Sequence, residues 1–232
     1  MYSSSHIART SSRQRARRAS RGDFSFGGKA LHVVEAGELE HDERARLLGR
    51  VADIYHSVWG KDTEEYGSGT AALRHLKSRT RMQQGATYVA LTPDGDLAGT
   101  AAIEDDDFYD GFCLSNGVGS AWIGRDLYTV PALRGVVLDG LKVWEHLVLA
   151  QLKWVLERGG SAMTIFTEDD PIDLPSLYAR VGAVVVRRGL HHRHLGPGTI
   201  TMLKYPVETS LSVVSSLRRS RLAATLPPSA SR

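Results

Sequence analysis

The sequence has little cysteine and no long apolar run. Cys113 is the only cysteine among 232 residues, so the chain cannot form an internal disulfide, and this usage is typical of a reducing cytoplasm. No apolar stretch approaches the roughly 20 residues that a membrane-spanning helix needs. We therefore expect a cytoplasmic protein without a membrane partner, in which Cys113 packs rather than reacts.

Acidic residues are missing from both ends of the chain. Residues 1–22 contain six arginines and residues 209–232 contain four, and neither segment has an acid. Removing these ten arginines from the net charge of +3 leaves −7 for residues 23–208. The acidic middle suits a cationic or amine substrate. Nucleic-acid binding is disfavoured and stays a distant alternative that would use the basic tails.

Length and composition predict a single domain between two tails. A chain with 42% hydrophobic residues can bury one good core. Residues 1–28 are rich in Arg and Ser and lack the apolar segment of a secretory signal, which predicts a disordered tail. Residues 29–208 are expected to form the domain, and residues 209–232 a disordered or marginally helical tail.

The first half of the domain predicts a strand, two helices and a hairpin, from hydrophobic spacing and turn residues. These elements are LHVVEA, the helical spacings from Leu47 to Trp59 and from Ala71 to Met82, and the strands TYVALT and LAGTAAI around Pro93-Asp94-Gly95-Asp96. Between the helices, Glu64, Glu65 and Tyr66 are interpreted as part of a solvated loop, with an amine-facing role as the alternative.

Two clusters invite a metal interpretation that their spacing does not support. The acidic run EDDDFYDG, residues 104–111, lacks the Asp-x-Asp-x-Asp-Gly spacing of a calcium loop and is expected to be a solvated loop. In HHRH, adjacent side chains of a strand point to opposite faces, so only His192 and His194 share a face. We predict no metal site.

The stretch WIGRDLYTVPALRGVVLDGLKVWEHLVLAQLKWVLERGG, residues 122–160, predicts a strand, a turn and a long helix. The β-rich run ends at Pro131, which cannot donate to a strand ladder. After the turn at Arg134-Gly135, apolar residues recur at steps of three and four from Val137 to Val155. The helix is therefore expected to begin near Val137 and to stop at Gly159-Gly160.

The segment LYTVPALRG resembles the central motif of the GNAT (N-acetyltransferase) superfamily. The resemblance implies an α/β fold with a mixed, twisted sheet of six to seven strands flanked by helices. It also implies a strand that splays after Val130 and bonds the pantetheine arm of acetyl-CoA or another acyl-CoA. The strand residues carried over are Leu127, Tyr128, Thr129 and Val130. In the loop, the resemblance assigns pyrophosphate binding to Arg134, Gly135 and Val136, together with the positive end of the helix.

Beyond Gly135 the sequence departs from the family pattern. The family has Gly at the position of Val137 and Gly or Ala at that of Asp139. A Cβ on Val137 crowds a phosphate, and a carboxylate on Asp139 in the first helical turn repels one. Gly140 is included as a cofactor-binding candidate because a one-residue bulge there could restore the loop. We expect acyl-CoA binding to be weaker than with a complete glycine loop.

A second resemblance follows the predicted parallel strand AMTIFT. The segment DLPSLYARVGA resembles the family signature N-x-x-A-x-x-L-Y-x-x-x-G-F, with Leu177, Tyr178, Gly182 and Ala183 at matching positions. In the family, a Tyr at the position of Tyr178 protonates the departing thiolate. Asp126 is the candidate base. The alternative is that the ring of Tyr178 only packs. VVVRRGLHHRH and GTITMLKYPV are expected to complete the sheet.

The sequence therefore predicts an N-acyltransferase that moves an acetyl or other acyl group directly from acyl-CoA to a small-molecule or peptide amine, without a metal. A homodimer is left open. The alternative is a catalytically degenerate GNAT-fold protein that binds a ligand or regulates a partner.

Overall fold

The computed structural model of the protein describes residues 31–61, 64–82, 85–106, 111–115, 122–168, 174–191 and 199–225. The predictions for residues 1–28 and 226–232, for residues 107–110 of the acidic run, and for His192 and His194 lie outside these ranges.

Seven strands of the described residues form one mixed sheet in the order β1-β2-β3-β4-β7-β9-β8. Their bounds are β1 His32–Glu35, β2 Gly85–Leu91, β3 Leu97–Asp105, β4 Trp122–Thr129, β7 Ala162–Glu168, β8 Val184–Leu190 and β9 Ile200–Pro206. Strands β4 and β7 run parallel, and the other neighbouring strands of this sheet run antiparallel. The predicted mixed sheet of six to seven strands is confirmed.

Helices cover both faces of this sheet. Their bounds are α1 His41–Trp59, α2 Gly69–Met82, the one-turn α3 Phe112–Ser115, α4 Val143–Glu157, α5 Leu174–Ala179 and α6 Val207–Thr225. On β2, Val89 belongs to the apolar cluster that includes α1 and α2, whereas Tyr88 and Ala90 belong to the cluster that includes α4 and α6. Because successive strand side chains point to opposite faces, α1 and α2 cover one face, and α4 and α6 cover the other.

The central helix begins later than the hydrophobic spacing predicts. Residues 137–142 form a small hairpin of β5 Val137–Leu138 and β6 Leu141–Lys142, and α4 begins only at Val143. The turn residues Asp139 and Gly140 have φ values of 49° and 76°, and an Asp-Gly pair is a preferred turn for a two-residue hairpin. The prediction of a helix from Val137 was therefore wrong. The Asp-Gly pair favours a hairpin turn, and the apolar spacing from Val137 to Leu141 fits a hairpin as well as a helix.

The C-terminal segment is part of the folded domain. We expected residues 209–232 to be disordered or marginally helical, but residues 207–225 form a regular helix, α6. Its apolar residues Val207, Leu211, Val214 and Leu217 follow at steps of four and three and pack into the core that α4 shares. These few apolar residues at helical spacing were therefore sufficient to form a helix, because α4 provides an apolar face for them to pack against.

The acidic run is not a solvated loop where the structure describes it. Strand β3 continues to Asp105, and Glu104 and Asp106 are 4% and 1% exposed. Asp106 Oδ1 accepts a hydrogen bond of 2.9 Å from the backbone N–H of Cys113. The solvated-loop prediction was wrong at these positions, because basic side chains and backbone donors compensate the buried carboxylates.

Candidate functional site

Strand β4 separates from β7 in its middle. The parallel pairing consists of Ile123 with Thr164 and Gly124 with Ile165. Pairing with β3 on the other side continues as far as Thr129. From Arg125 onward, β4 is therefore paired along one edge only, and a gap opens between β4 and β7. We expected the splay after Val130, but the strand pairing ends at Gly124.

A β-bulge marks the beginning of this gap. Opposite β3, Thr100 pairs with Tyr128 and Ala102 with Arg125, so three steps along β4 face two steps along β3. Asp126 carries the irregularity and has a φ of 56°, which is rare for a residue other than glycine. A bulge bends the strand and increases its twist. The bulge therefore accounts for the turn of β4 away from β7.

The backbone of β4 offers polar groups to the gap. The N–H of Val130 donates to Ala98 of β3 at 2.9 Å, and backbone groups of alternate residues point the same way. Tyr128 therefore also faces β3, whereas Leu127 and Thr129 face the gap. The guanidinium Nε of Arg134 donates to the Thr129 carbonyl at 3.3 Å. Of the four predicted strand residues, Leu127 and Thr129 are therefore the two whose backbone groups point away from β3.

The loop after β4 is a compact turn. Residues 131–133 form a 3₁₀ turn, and the amides of Leu133, Arg134 and Val136 already donate to backbone carbonyls at 2.9 to 3.3 Å. Gly135 adopts a φ of 86°, which requires glycine or a strained residue. The guanidinium carbon of Arg134 lies 5.9 Å from the centre of the Tyr128 ring. Because these loop amides are already bonded within the protein, the Arg134 guanidinium is better placed than they are to contact an anion.

The hairpin tip is bound to α6 rather than presented to a ligand. Asp139 forms an ion pair with Arg218, and a Cβ on Gly140 would lie 2.8 Å from the Arg218 carbonyl oxygen. The sequence predicted Asp139 in the first turn of the helix. In the structure, Asp139 lies in a hairpin turn instead. Gly140 packs against α6 and does not extend the loop of residues 131–136, so the expected one-residue bulge that would restore the loop is not formed there.

The N-terminus of α4 already has an anionic partner. Glu145 is buried, its Oε2 accepts from the Lys142 backbone N–H at 2.7 Å, and Arg221 binds both of its oxygens. A carboxylate in this position satisfies a free amide and complements the helix dipole. The Nε2 of His146 lies 2.8 Å from the Leu138 carbonyl, and burial lowers the pKa of this imidazole. At this helix end, the Lys142 amide and the Glu145 carboxylate are therefore already paired within the protein.

Tyr178 lies on the α4 face of the sheet. Its ring packs edge-on against Trp144, in the first turn of α4, with 5.8 Å between ring centres. Burial raises the pKa of Tyr178 to about 12, so the phenol keeps its proton at neutral pH. Within the described part of the chain, the buried hydroxyl of the neighbouring Tyr205 has no hydrogen-bond partner. Because its own hydroxyl stays protonated at neutral pH, Tyr178 can act as a proton donor.

Asp126 lies on the other face, within a buried polar network. Its Oδ2 accepts hydrogen bonds from the Tyr66 hydroxyl at 2.6 Å and from Arg79 at 3.1 Å. The neighbouring Arg125 also binds this carboxylate, with Nε 3.2 Å from Oδ2. Tyr66 packs with α1 and α2, whereas Tyr178 packs on the α4 side. The two predicted catalytic residues therefore flank β4 from opposite faces.

Glu104 extends the network along β3. Its carboxylate lies 2.5 Å from Arg79 and 2.7 Å from Arg125, and 3.0 Å from His75 Nε2. Although burial alone would raise the pKa of Glu104, the guanidiniums of Arg125 and Arg79 hold it well below its usual value. Glu65 closes the network at 3.0 Å from Arg125.

Sequence reasoning missed this network. Tyr66 is buried and Glu65 is paired with Arg125, so the solvated-loop interpretation of these residues was wrong. The network residues come from β3, β4, α2 and the turn before it, and they are far apart in sequence. One local signal was present, because Arg125-Asp126 interrupts an otherwise apolar strand with two charges.

Neither a metal cluster nor a membrane-spanning helix occurs in the described residues. No three His, Cys, Asp or Glu side chains lie together there in a way that could hold an ion. No helix of this part of the chain is long and apolar enough to cross a bilayer.

Comparison with known proteins gives a fold match without a sequence match. No protein-family model and no curated protein matches the chain. Among solved structures, a GNAT-family acetyltransferase from Staphylococcus aureus matches with a TM-score of 0.51 and 12% identity, over 77% of this chain and 99% of that one. A spermidine N-acetyltransferase from Vibrio cholerae, solved with CoA and spermine, has a TM-score of 0.53 and 12% identity over 78% and 98%.

An N-acyl amino acid synthase from uncultured soil microbes also matches, with a TM-score of 0.53 and 13% identity over 85% of this chain and 98% of that one. These three matches cover 77% to 85% of this chain. The protein therefore has the fold of the GNAT N-acetyltransferases.

Proposed function

We propose that the protein is an N-acyltransferase that moves an acyl group from acyl-CoA directly to an amine. The observation that carries the proposal is the gap beside β4, where pairing with β7 ends at Gly124 and the backbone groups of Leu127 and Thr129 face outward. An extended pantetheine arm fits such an edge because it can form the hydrogen bonds of a missing strand. The neighbours act on small amines by name and support the same chemistry.

Direct transfer assigns a role to Tyr178. The amine nitrogen attacks the thioester carbonyl, an N–C bond forms and the C–S bond breaks. The Tyr178 hydroxyl gives its proton to the departing CoA thiolate and is reprotonated from solvent, while the new amide loses its extra proton. Burial raises the pKa of Tyr178 to about 12, so the phenol is protonated at neutral pH and has a proton to give to the departing thiolate.

The sequence suggested Asp126 as the catalytic base, but the contacts of its carboxylate in the structure argue against that role. Both carboxylate oxygens are within hydrogen-bond distance of protein donors, Oδ2 of Tyr66 and Arg79, and Oδ1 of Arg125 at 3.3 Å. An amine proton would have to displace one of them. We propose instead that the amine reaches the thioester after losing its proton to water.

The donor site comprises the strand and the turn that follows it. We propose that Leu127, Tyr128, Thr129 and Val130 line the pantetheine and that Arg134, Gly135 and Val136 lie beside the pyrophosphate. Arg134 supplies a positive charge that partly replaces the helix end occupied by Glu145. The charge of −7 on residues 23–208 favours a cationic amine acceptor. The lone, buried Cys113 suits the cytoplasm as the place of action.

A second candidate is a GNAT-fold protein that binds a ligand or partner without catalysis. The observation in its favour is the α4 N-terminus, where the carboxylate of Glu145 already pairs with the Lys142 amide and with Arg221. This arrangement predicts weak pyrophosphate binding, and with it either a slow enzyme or none.

The test is a transfer assay on the full chain. Acetyl-CoA and longer acyl-CoAs are incubated with amino acids, polyamines and aminoglycosides, and free thiol is measured. Acceptor-dependent thiol release with an N-acylated product supports the enzyme. Saturable acyl-CoA binding without release for any acceptor supports the second candidate.

A further inference from the structure

The bulge in β4 is built from an unfavourable backbone conformation. Asp126 has a φ of 56°, and a residue with a Cβ occupies this region only when its surroundings hold it there. In the described part of the chain, Asp126 and Asp139 are the residues other than glycine with positive φ. Asp139 is in a hairpin turn, where such values are ordinary, whereas Asp126 is inside a strand.

Side chains from three elements hold the Asp126 carboxylate. Tyr66 comes from the turn before α2, Arg79 from α2 and Arg125 from β4, at 2.6, 3.1 and 3.2 Å from Oδ2. The Asp126 side chain is 6% exposed. Hydrogen bonds between charged groups in a buried site are short and directional. These contacts fix the carboxylate relative to α2. Because the carboxylate belongs to Asp126, they also fix the backbone of β4 at this residue.

The donors are fixed in their turn. Glu104 binds Arg79 at 2.5 Å and Arg125 at 2.7 Å, and Glu65 binds Arg125 at 3.0 Å. The Arg79 side chain is 2% exposed. Because each guanidinium has carboxylates on more than one side, its position does not depend on Asp126 alone.

The fixed residue lies where the strands separate. Asp126 is two residues beyond Gly124, the last residue of β4 that pairs with β7, and one residue before Leu127, the first of the residues proposed to line the donor. We propose that Asp126 is a positioning residue: its carboxylate, held by Tyr66, Arg79 and Arg125, fixes the bulge that turns β4 away from β7. The kinetic part of this inference depends on the proposed acyl transfer, whereas the structural part does not.

The structural part is tested by amide hydrogen exchange on the full chain without ligand. Asp126→Ala removes the carboxylate and keeps a Cβ that disfavours the positive φ. Exchange of the Tyr128 and Val130 amides, which face β3, should accelerate by about tenfold or more. Asp139→Ala is the matched control, since it removes an arginine-paired carboxylate at a positive φ outside the bulge. It should accelerate exchange in the hairpin only.

A milder variant keeps the test decisive if Asp126→Ala does not fold. Tyr66→Phe leaves Asp126 in place and removes one donor, and it should accelerate exchange of the same two amides by a smaller factor. Wild-type exchange rates at Tyr128 and Val130 in the variant that folds would overturn the proposal, because the bulge would then persist without its side-chain contacts.

The kinetic part separates positioning from catalysis. Asn tolerates positive φ and keeps one acceptor oxygen, so Asp126→Asn should raise KM for the acyl donor and keep kcat within about tenfold, the scale of one hydrogen bond. Asp126→Gly keeps the φ but loses every contact, so its donor KM should be higher still. At low pH kcat should fall because the amine is protonated, and this acidic limb of the pH profile should remain in both variants.

A base at Asp126 gives a different result, and that result would overturn the inference. Both variants would then lose kcat by about 100- to 10,000-fold, with unchanged donor KM and without the acidic limb. A wild-type chain that shows no transfer contradicts the proposed function instead. Hydrogen exchange alone then decides whether Asp126 fixes the bulge.

Discussion

Arg221 of α6 binds the buried carboxylate of Glu145 in the first turn of α4 through two nitrogens, at 2.5 and 3.1 Å. The same guanidinium lies 3.4 Å from the Gly140 carbonyl at the hairpin tip. The contact joins the C-terminal helix, the hairpin and the start of the central helix. Helix α6 is therefore a structural part of the region beside the proposed donor site.

The Arg221 contact should stabilise the fold measurably. Arg221→Met keeps most of the aliphatic stem and leaves the carboxylate of Glu145 without its cationic partner. Removing one member of a largely buried pair should lower the free energy of unfolding by roughly 1 to 3 kcal/mol. Urea unfolding measures this. Arg219→Met is the matched control on the same helix, where the exposed Arg219 bonds Ser216, and it should change stability little.

Truncation should show that α6 belongs to the domain. A chain ending at residue 208 loses the fully buried Val214 and the Arg221 contact, and each effect costs about 1 to 3 kcal/mol. Its melting temperature should fall clearly, whereas a chain ending at residue 225 should melt like the full chain. Equal melting of the two truncated chains would support our original expectation of a disordered or marginal tail.

Glu104 should make stability depend on acid. Its folded pKa is held well below the usual value, so its ionised form stabilises the fold above the unfolded pKa of about 4.5, and this contribution is lost as pH falls below that value. Glu104→Gln should therefore be much less stable than wild type at pH 7, with a smaller difference at pH 3. Unfolding in urea at both pH values measures this. The exposed Glu64→Gln serves as control, and a pH-independent difference for Glu104→Gln would contradict the ion-pair explanation.

Tyr178 should affect the chemical step and not binding. Tyr178→Phe keeps the ring against Trp144 and removes the hydroxyl, so kcat should fall by about 100- to 10,000-fold, with little change in acyl-CoA affinity or melting temperature. Because the pKa of Tyr178 is about 12, loss of its proton should not produce a descending limb in the wild-type kcat profile below pH 10. Normal turnover by Tyr178→Phe with a genuine acceptor would reduce Tyr178 to a packing residue.

Local patterns predicted the strands well. Alternating and β-branched runs, with Pro131 as a stop, located β4, and the turn Pro93-Asp94-Gly95-Asp96 located the β2–β3 hairpin, because these signals act over a few neighbouring residues. The order of elements then agreed with the sheet.

Features that depend on distant partners were not predictable in the same way. The periodicity from Val137 onward fitted both a helix and a hairpin, and only Asp139-Gly140 distinguished them. Order in α6 depended on an apolar surface that α4 provides. The network around Asp126 joins residues up to 60 positions apart, such as Tyr66 and Asp126. Charge pairing of this kind leaves little trace in the local sequence.

The most direct test of the account is calorimetric titration of the full chain with acetyl-CoA and longer acyl-CoAs. The account predicts saturable binding at or below millimolar concentration. Thr129→Pro removes the amide that faces the gap and should weaken binding by about tenfold, the scale of one hydrogen bond, whereas Thr129→Ala keeps the amide and should bind like wild type. No saturable binding of any acyl-CoA, or equal affinity of the Thr129→Pro and Thr129→Ala chains, would contradict the donor site proposed beside β4.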